Sequence, residues 1–154
     1  MSEGPRDPAH IAGYATALGV FGSTALGVLL AGRKTGRLPD RYGPMDLVVG
    51  ALALQSFTRL VAKDAVMTPL RAPFTEFEEV GAPAELNEKP RDGHGQHTVG
   101  ELISCPFCLA PWFGGAYITG LAFAPRIARA WAAVFSMVGV SNDLQFVYEG
   151  LQKV

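Results

Sequence analysis

The chain has 154 residues, 49% of them hydrophobic and 18% charged, with a positive mean hydropathy, a balance unusual for a water-soluble domain of this size. A net charge of −1 with no basic stripe interleaved with aromatics excludes a nucleic-acid-binding surface. The two cysteines stand too close together to build a disulfide framework, so they leave the redox compartment open.

Residues 11–32 contain no charge and have about the length that crosses roughly 30 Å of hydrocarbon at 1.5 Å per residue. This run is longer than a signal-peptide core and no small-residue cleavage site follows it, so it is read as a retained span. Within it Ala15, Gly19, Ser23, Gly27 and Ala31 recur every four residues, a ridge on which another helix could pack closely. Residues 33–41 form a short basic turn, and Tyr42 and Pro44 lead into a second span over 45–62. That span carries Gln55, Ser56, Thr58 and Arg59 in its second half, groups that need protein partners inside a bilayer.

From 63 to 98 the composition turns polar, with Glu76, Glu78, Glu79, Glu85 and Glu88 among prolines and glycines. Pro69 and Pro73 argue against a regular helix, and the sequence predicts one long extramembrane loop, an extended and partly mobile strap. A short interfacial helix over 98–104 then leads into a third span at 107–124, which repeats the small-residue spacing at Ala110, Gly114, Ala116, Gly120 and Ala124. Trp112 suits an interface and Tyr117 a packing position. A basic turn at 125–129 precedes a fourth span at 130–147, interrupted by Gly139, Ser141, Asn142 and Asp143. The expected fold is an all-α integral membrane four-helix bundle, one domain over 1–154. Its basic residues divide almost evenly between the two faces. Charge density beside the first helix favours a cytoplasmic 33–41 turn.

Cys105 and Cys108 form a C-x-x-C at the entry to the third span. A helix N-terminus stabilises a thiolate, which would make Cys105 a nucleophile and Cys108 its resolving partner. The Cys-Pro-Phe-Cys sequence resembles the glutaredoxin active site, but no βαβ pattern surrounds it. Membrane disulfide-forming quinone reductases are closer in architecture, yet they relay electrons through a second cysteine pair that this chain lacks. The same thiols with His94 and His97 supply two imidazoles and two thiolates, enough for a structural zinc site. Two packed, reduced thiols are the plain alternative. Arg59 and Lys63 need carboxylate partners from Asp64, Glu101 and Asp143, and Arg59 with Asp143 is the expected pair, either an ion relay or a structural contact that fixes helix register.

The order of Arg59-x-x-x-Lys63-Asp64, Pro69-Leu-Arg71-Ala-Pro-Phe-Thr75, Gly100-Glu101-Leu-Ile-Ser-Cys105-Pro-Phe-Cys108-Leu-Ala-Pro-Trp112 and Ser141-Asn-Asp143 resembles a domain-of-unknown-function family of small bacterial membrane proteins, typified by the sporulation protein YjcA. The resemblance runs from the second span onward. It implies location in the bacterial cytoplasmic membrane and a multi-span architecture, and brings no reaction with it. The leading expectation is a structural or accessory subunit embedded in the bilayer, forming a homo-oligomer or joining other membrane-protein subunits. Arg59, Asp64, Arg71, Glu101, Cys105, Cys108, Trp112 and Asp143 would hold the loop on the bundle. The alternatives are a thiol oxidoreductase using Cys105 and Cys108, and a small oligomeric channel lined by Arg59 and Asp143.

Overall fold

An uncharged run closed by Arg33 and Lys34 makes the first helix, α1 (Pro8–Thr35), with the two cations placed where the helix dipole favours them. The structure, a computed structural model, describes residues 8–152, apart from the side chains of residues 8, 9 and 94. Helix α2 (Pro44–Lys63) starts on a proline, which a first turn accepts, with Asp46 in that turn and Lys63 in its last. A 3₁₀ turn (Ala65–Met67) and a one-turn helix α3 (Thr68–Arg71) follow. Strands β1 (Thr75–Val80) and β2 (Leu86–Pro90) pair as an antiparallel hairpin with an irregularity between Phe77 and Glu79. Helices α4 (His94–Ser104), α5 (Pro106–Phe123) and α6 (Pro125–Gln152) complete the chain.

Two helical segments, His10–Thr35 and Pro44–Lys63, are long and apolar enough to cross a membrane. Helices α4 and α5 supply a third only if they count as one broken span, since they meet at 82°. Helix α6 covers the expected fourth span but is not in this group, and Ser141, Asn142 and Asp143 interrupt its apolar run. The chain is therefore mostly helical with two candidate spans, or three, and a small two-stranded sheet.

That sheet replaces the predicted mobile strap. Pro69 sits in the first turn of α3 and Pro73 lies just past its end, both positions that tolerate proline, so the two residues bound a tight turn and do not prevent one. The acidic segment becomes a hairpin whose Ala84 carbonyl accepts from the Ala65 amide at 2.9 Å, tying it to the end of α2.

The core lies where α2 packs on α5 and, most extensively, on α6. Ala53, Tyr117, Leu121, Ala128 and Ala132 form its buried centre. Phe57 meets Phe113, Trp131 and Phe135 edge-on, with ring centroids 4.7, 5.3 and 4.7 Å away. Close helix approach rests on glycines of α2 and α6: Gly50 lies under the Tyr117 ring, and Gly139 lies against the Ser56 side chain. The small-residue ridge of α1 behaves differently. Ala15, Gly19, Ser23, Gly27 and Ala31 are all exposed, whereas Gly13, Ala17, Phe21, Val28 and Gly32 make the helix's inward side. Helix α1 packs chiefly on α4 and α5, leaving the ridge bare in the single chain.

Gly139→Leu should therefore lower stability in detergent by about 1–3 kcal/mol, the usual penalty of overpacking, read as a drop in the thermal midpoint. Gly19→Leu, which has nothing within 4 Å of its β-carbon position, should leave that midpoint unchanged and alter only assembly, read by size-exclusion chromatography.

Candidate functional site

Arg71 is the largest fully buried side chain among the described residues, 1% exposed, and a guanidinium out of water must satisfy all five of its N–H groups. It does. Nε and one Nη2 hydrogen donate to the two Glu88 carboxylate oxygens at 3.0 and 2.9 Å, a bidentate fork. Nη1 donates to the carbonyls of Val61 and Asp64 at 2.8 and 3.0 Å, and Nη2 also reaches the Thr68 hydroxyl at 3.4 Å. The Val61 and Asp64 carbonyls belong to the end of α2, where a helix leaves acceptors without partners. Arg71 thus caps α2 while holding β2.

Glu88, with a side chain 3% exposed, is satisfied in turn by the hydroxyls of Thr68 and Thr75 at 3.2 and 2.5 Å. Burial pushes its carboxyl up, but the hydrogen bonds from Arg71, Thr75 and Thr68 and the arginine's charge outweigh it and hold the group below the usual glutamate range. Arg91 closes the turn from outside through the carbonyls of Ala72 and Thr75 at 3.1 and 3.0 Å. Gly100 of α4 packs directly on this frame. A β-carbon there would stand 2.5 Å from the Phe74 carbonyl oxygen, so the close approach requires glycine.

Beside this frame, α2, α6 and the hairpin enclose a polar cleft. Two adjoining hollows of about 20 and 250 Å³ share Arg59, Asp64 and Asn142; Asp143 lines the smaller, Phe146 and Glu149 the larger. Arg59 pairs with Glu85 at 2.5 Å, and its guanidinium carbon stands 5.2 Å from the centroid of the Phe146 ring. The expected Arg59–Asp143 pair is thus corrected: the hairpin folds back over the end of α2 and brings Glu85 to Arg59, while Asp143 stays exposed on α6. Lys63 donates to the Asn87 side chain at 3.2 Å. Burial, with help from the Glu85 charge, raises the Asp64 carboxyl against the pull of Arg59 and Arg71.

Glu101, Trp112 and the two cysteines lie on the other side, facing α1. Tyr14 donates to Glu101 at 2.5 Å, His97 stands 3.5 Å from the same carboxylate, and the His10 and His97 rings stack 4.3 Å apart. Trp112 meets Phe21 edge-on at 5.2 Å. Thr98, whose buried hydroxyl has no partner among the described residues, abuts Gly13. Cys105 caps the N-terminus of α5, its Sγ accepting from the Cys108 amide at 3.2 Å, and both thiols are free. Among the described residues no three His, Cys, Asp or Glu side chains are grouped to hold a metal. The His94 side chain, one of the four expected zinc ligands, lies outside the described residues.

The structure thus divides the expected residues into three groups: Arg71 in the buried frame; Arg59, Lys63, Asp64 and Asp143 around the cleft; Glu101, Cys105, Cys108, His97 and Trp112 at the α1 contact. Glu85, Glu88, His10 and Tyr14 are not singled out by the sequence. A single arginine between two prolines signals that some acid must answer it, but not which of five.

A family model described as a protein of unknown function (DUF1360) matches residues 49–148. The sporulation protein YjcA of Bacillus subtilis is 27% identical over 112 residues, covering 66% of this chain and 88% of that protein. No solved structure matches. The family match spans the frame, all of the cleft but Glu149, and both cysteines, and begins after α1.

Arg71→Met should leave Glu88 buried without its counter-charge and destabilise the protein by about 3–5 kcal/mol, whereas Arg71→Met with Glu88→Leu should recover most of that loss, both read by thermal unfolding in detergent. Because the folded-state carboxyl of Glu88 is held below its unfolded value, its contribution is complete above the unfolded value, about 4.3, and fades as pH falls through the folded one. The stability gap between wild type and Glu88→Gln should therefore hold steady above about pH 5 and narrow progressively below it.

Proposed function

The chain belongs to the DUF1360 family of proteins of unknown function, and from that premise we propose that it is a multi-pass protein of the bacterial cytoplasmic membrane acting as a structural or accessory subunit of a membrane complex. Helices α1 and α2 are two spans, α5 entered from an interfacial α4 is the third, and α6 is the fourth. The 82° corner supports this arrangement, since a helix perpendicular to a span lies along the membrane surface. The length of α6 supports it too, 28 residues or about 40 Å, with Val134, Met137, Val140, Leu144 and Val147 exposed along it.

One observation carries the subunit role. Outside the candidate spans, Val66, Leu70, Phe77 and Val80 are 62–73% exposed on segments that the Arg71–Glu88 frame holds in place. Large apolar side chains presented to water on an ordered support mark a docking surface. The acids of β1, Glu76, Glu78 and Glu79, are exposed beside Phe77 and Val80 and select a partner with basic groups. The bare ridge of α1 is a second contact, suited to another copy or another subunit within the bilayer.

A redox reading keeps one observation in its favour, two free thiols one turn apart at a helix start, with the amide of Cys108 donating to Cys105 Sγ. The two roles separate experimentally. In native membranes extracted with mild detergent, the wild-type protein should migrate well above its monomer mass. Phe77→Ser with Val80→Ser should release it without lowering its thermal midpoint, and Cys105→Ser should leave the complex intact. A wild-type protein that runs as a monomer defeats the subunit role; loss of a cellular phenotype with Cys105→Ser, at unchanged complex size, would favour the oxidoreductase.

A further inference from the structure

Strand β1 is bare along most of its length. Every residue from Glu76 to Val80 is exposed, whereas β2 is mostly half-buried and packs on α4 and the end of α2. The hairpin holds two strands, so no strand pairs with the far edge of β1 among the described residues, and the N–H and C=O groups on that edge are a template for another chain.

The irregularity in the hairpin sorts its side chains. Strict alternation would put Phe77 and Val80 on opposite faces of β1. The extra residue between Phe77 and Glu79 leaves Phe77 across from Glu88 and Val80 across from Leu86, so Phe77, Val80 and Leu86 share one face. On the opposite face Glu76 stands 4.0 Å from Lys89, and Glu79 accepts from the Asn87 side chain at 3.1 Å. A hollow of about 320 Å³ adjoins the apolar face, walled in part by Thr68, Ala72, Phe77 and Leu86. The open strand thus has an apolar side with a hollow next to it and an acidic side, with its backbone between them.

We propose that an extended basic segment of a partner protein adds to the open edge of β1, with alternate apolar side chains over Phe77, Val80 and the hollow, and the intervening lysines or arginines against Glu76 and Glu79. The inference rests on the reading of the head as a docking surface and names the chemistry of what docks there. Strand addition draws affinity from main-chain hydrogen bonds and specificity from alternate side chains, and β1 offers both. Charge selects the occupant. Three of the six residues of β1 are acids and none is a base, and neither Glu78 nor Glu79 has an ion-pair partner among the described residues. A basic strand is attracted there, whereas antiparallel pairing of two copies of β1 would set acid against acid. The Arg71–Glu88 pair holds the hairpin in place beforehand, so little ordering cost falls on this side of the contact.

The test uses the full chain in detergent and a fluorescent seven-residue peptide of alternating lysine and valine, with binding read by anisotropy. Two methylated forms keep its charge and side chains: N-methyl groups on the valine amides block one backbone edge, and on the lysine amides the other. One of the two should lose affinity by about tenfold or more while the other binds as the parent does. Glu76→Gln with Glu79→Gln should weaken the parent peptide by about fivefold at an unchanged thermal midpoint. Ala72→Trp, which fills the hollow from an exposed position, should do the same. No binding of the parent peptide, or equal binding of both methylated forms, overturns the proposal. So does a Val80→Cys chain, made with Cys105→Ser and Cys108→Ser and reconstituted in liposomes, that links to a second copy by a disulfide or resists a water-soluble maleimide, since another copy or lipid would then cover the strand. Complex size in native-membrane extracts is measured alongside: if the wild type is monomeric, the docking reading falls and the site with it; if the complex is present and methylation makes no difference, only strand addition falls.

Discussion

The segment between α2 and α4, the polar head of the molecule, depends on one buried ion pair. Without Arg71 against Glu88, the Val61 carbonyl at the end of α2 would lose its partner and β2 would have an uncompensated carboxylate facing the protein. Burying an ion pair is not in itself stabilising, since desolvation offsets most of the attraction. What distinguishes this one is completeness. Every guanidinium hydrogen has an acceptor, and the acceptors come from α2, α3 and β2. Any shift of one element against the others leaves a buried polar atom unpaired, so the pair defines one arrangement of the head and penalises its neighbours.

The frame also links residues that are far apart in the chain, from Arg71 to Cys105. Arg71 closes the turn, Phe74 offers its carbonyl face to Gly100, and Gly100 lets α4 lie flush on the hairpin. Helix α4 then fixes the corner at Cys105, and with it the direction in which α5 departs. A glycine and an arginine far apart in sequence thus set the angle between the head and the helices. The C-x-x-C occupies the corner itself, where Cys105 caps a helix that begins on a proline and has no serine, threonine or aspartate to do so.

The helices can be read from the sequence because an uncharged run of span length is seldom anything but a membrane helix, and the first two candidate spans fall where composition places them. The family resemblance, carried by fixed residues from Arg59 to Asp143, also holds. The head cannot be read in the same way. Prolines argue against regular structure in general, whereas Pro69 occupies the first turn of α3, the one helical place where proline is at home. The choice among five glutamates is also hidden, because pairing is set by hairpin register: β1 and β2 align Phe77 with Glu88 and Glu76 with Lys89, which turns Glu88 inward and leaves Glu76 outside. A one-residue slip would exchange those roles. The partner of Arg59 is out of reach for the same reason, since Glu85 meets it only through the hairpin's fold back onto α2.

Helix α1 stands apart from this interdependence. It precedes the segment matched by the family, contributes nothing to the central core, and touches the rest through α4 and α5. Its contacts there are polar at one end, Tyr14 with Glu101 and His10 with His97, and aromatic further along, Phe21 with Trp112. Residues 49–148 hold the buried ion pair, the aromatic core and the helix corner without it. A long apolar helix attached along one side, with its small-residue ridge turned outward, contributes little to the fold of the rest of the chain. The frame at Arg71 thus keeps the exposed side chains of the hairpin in fixed relation to α4, on which α1 is docked.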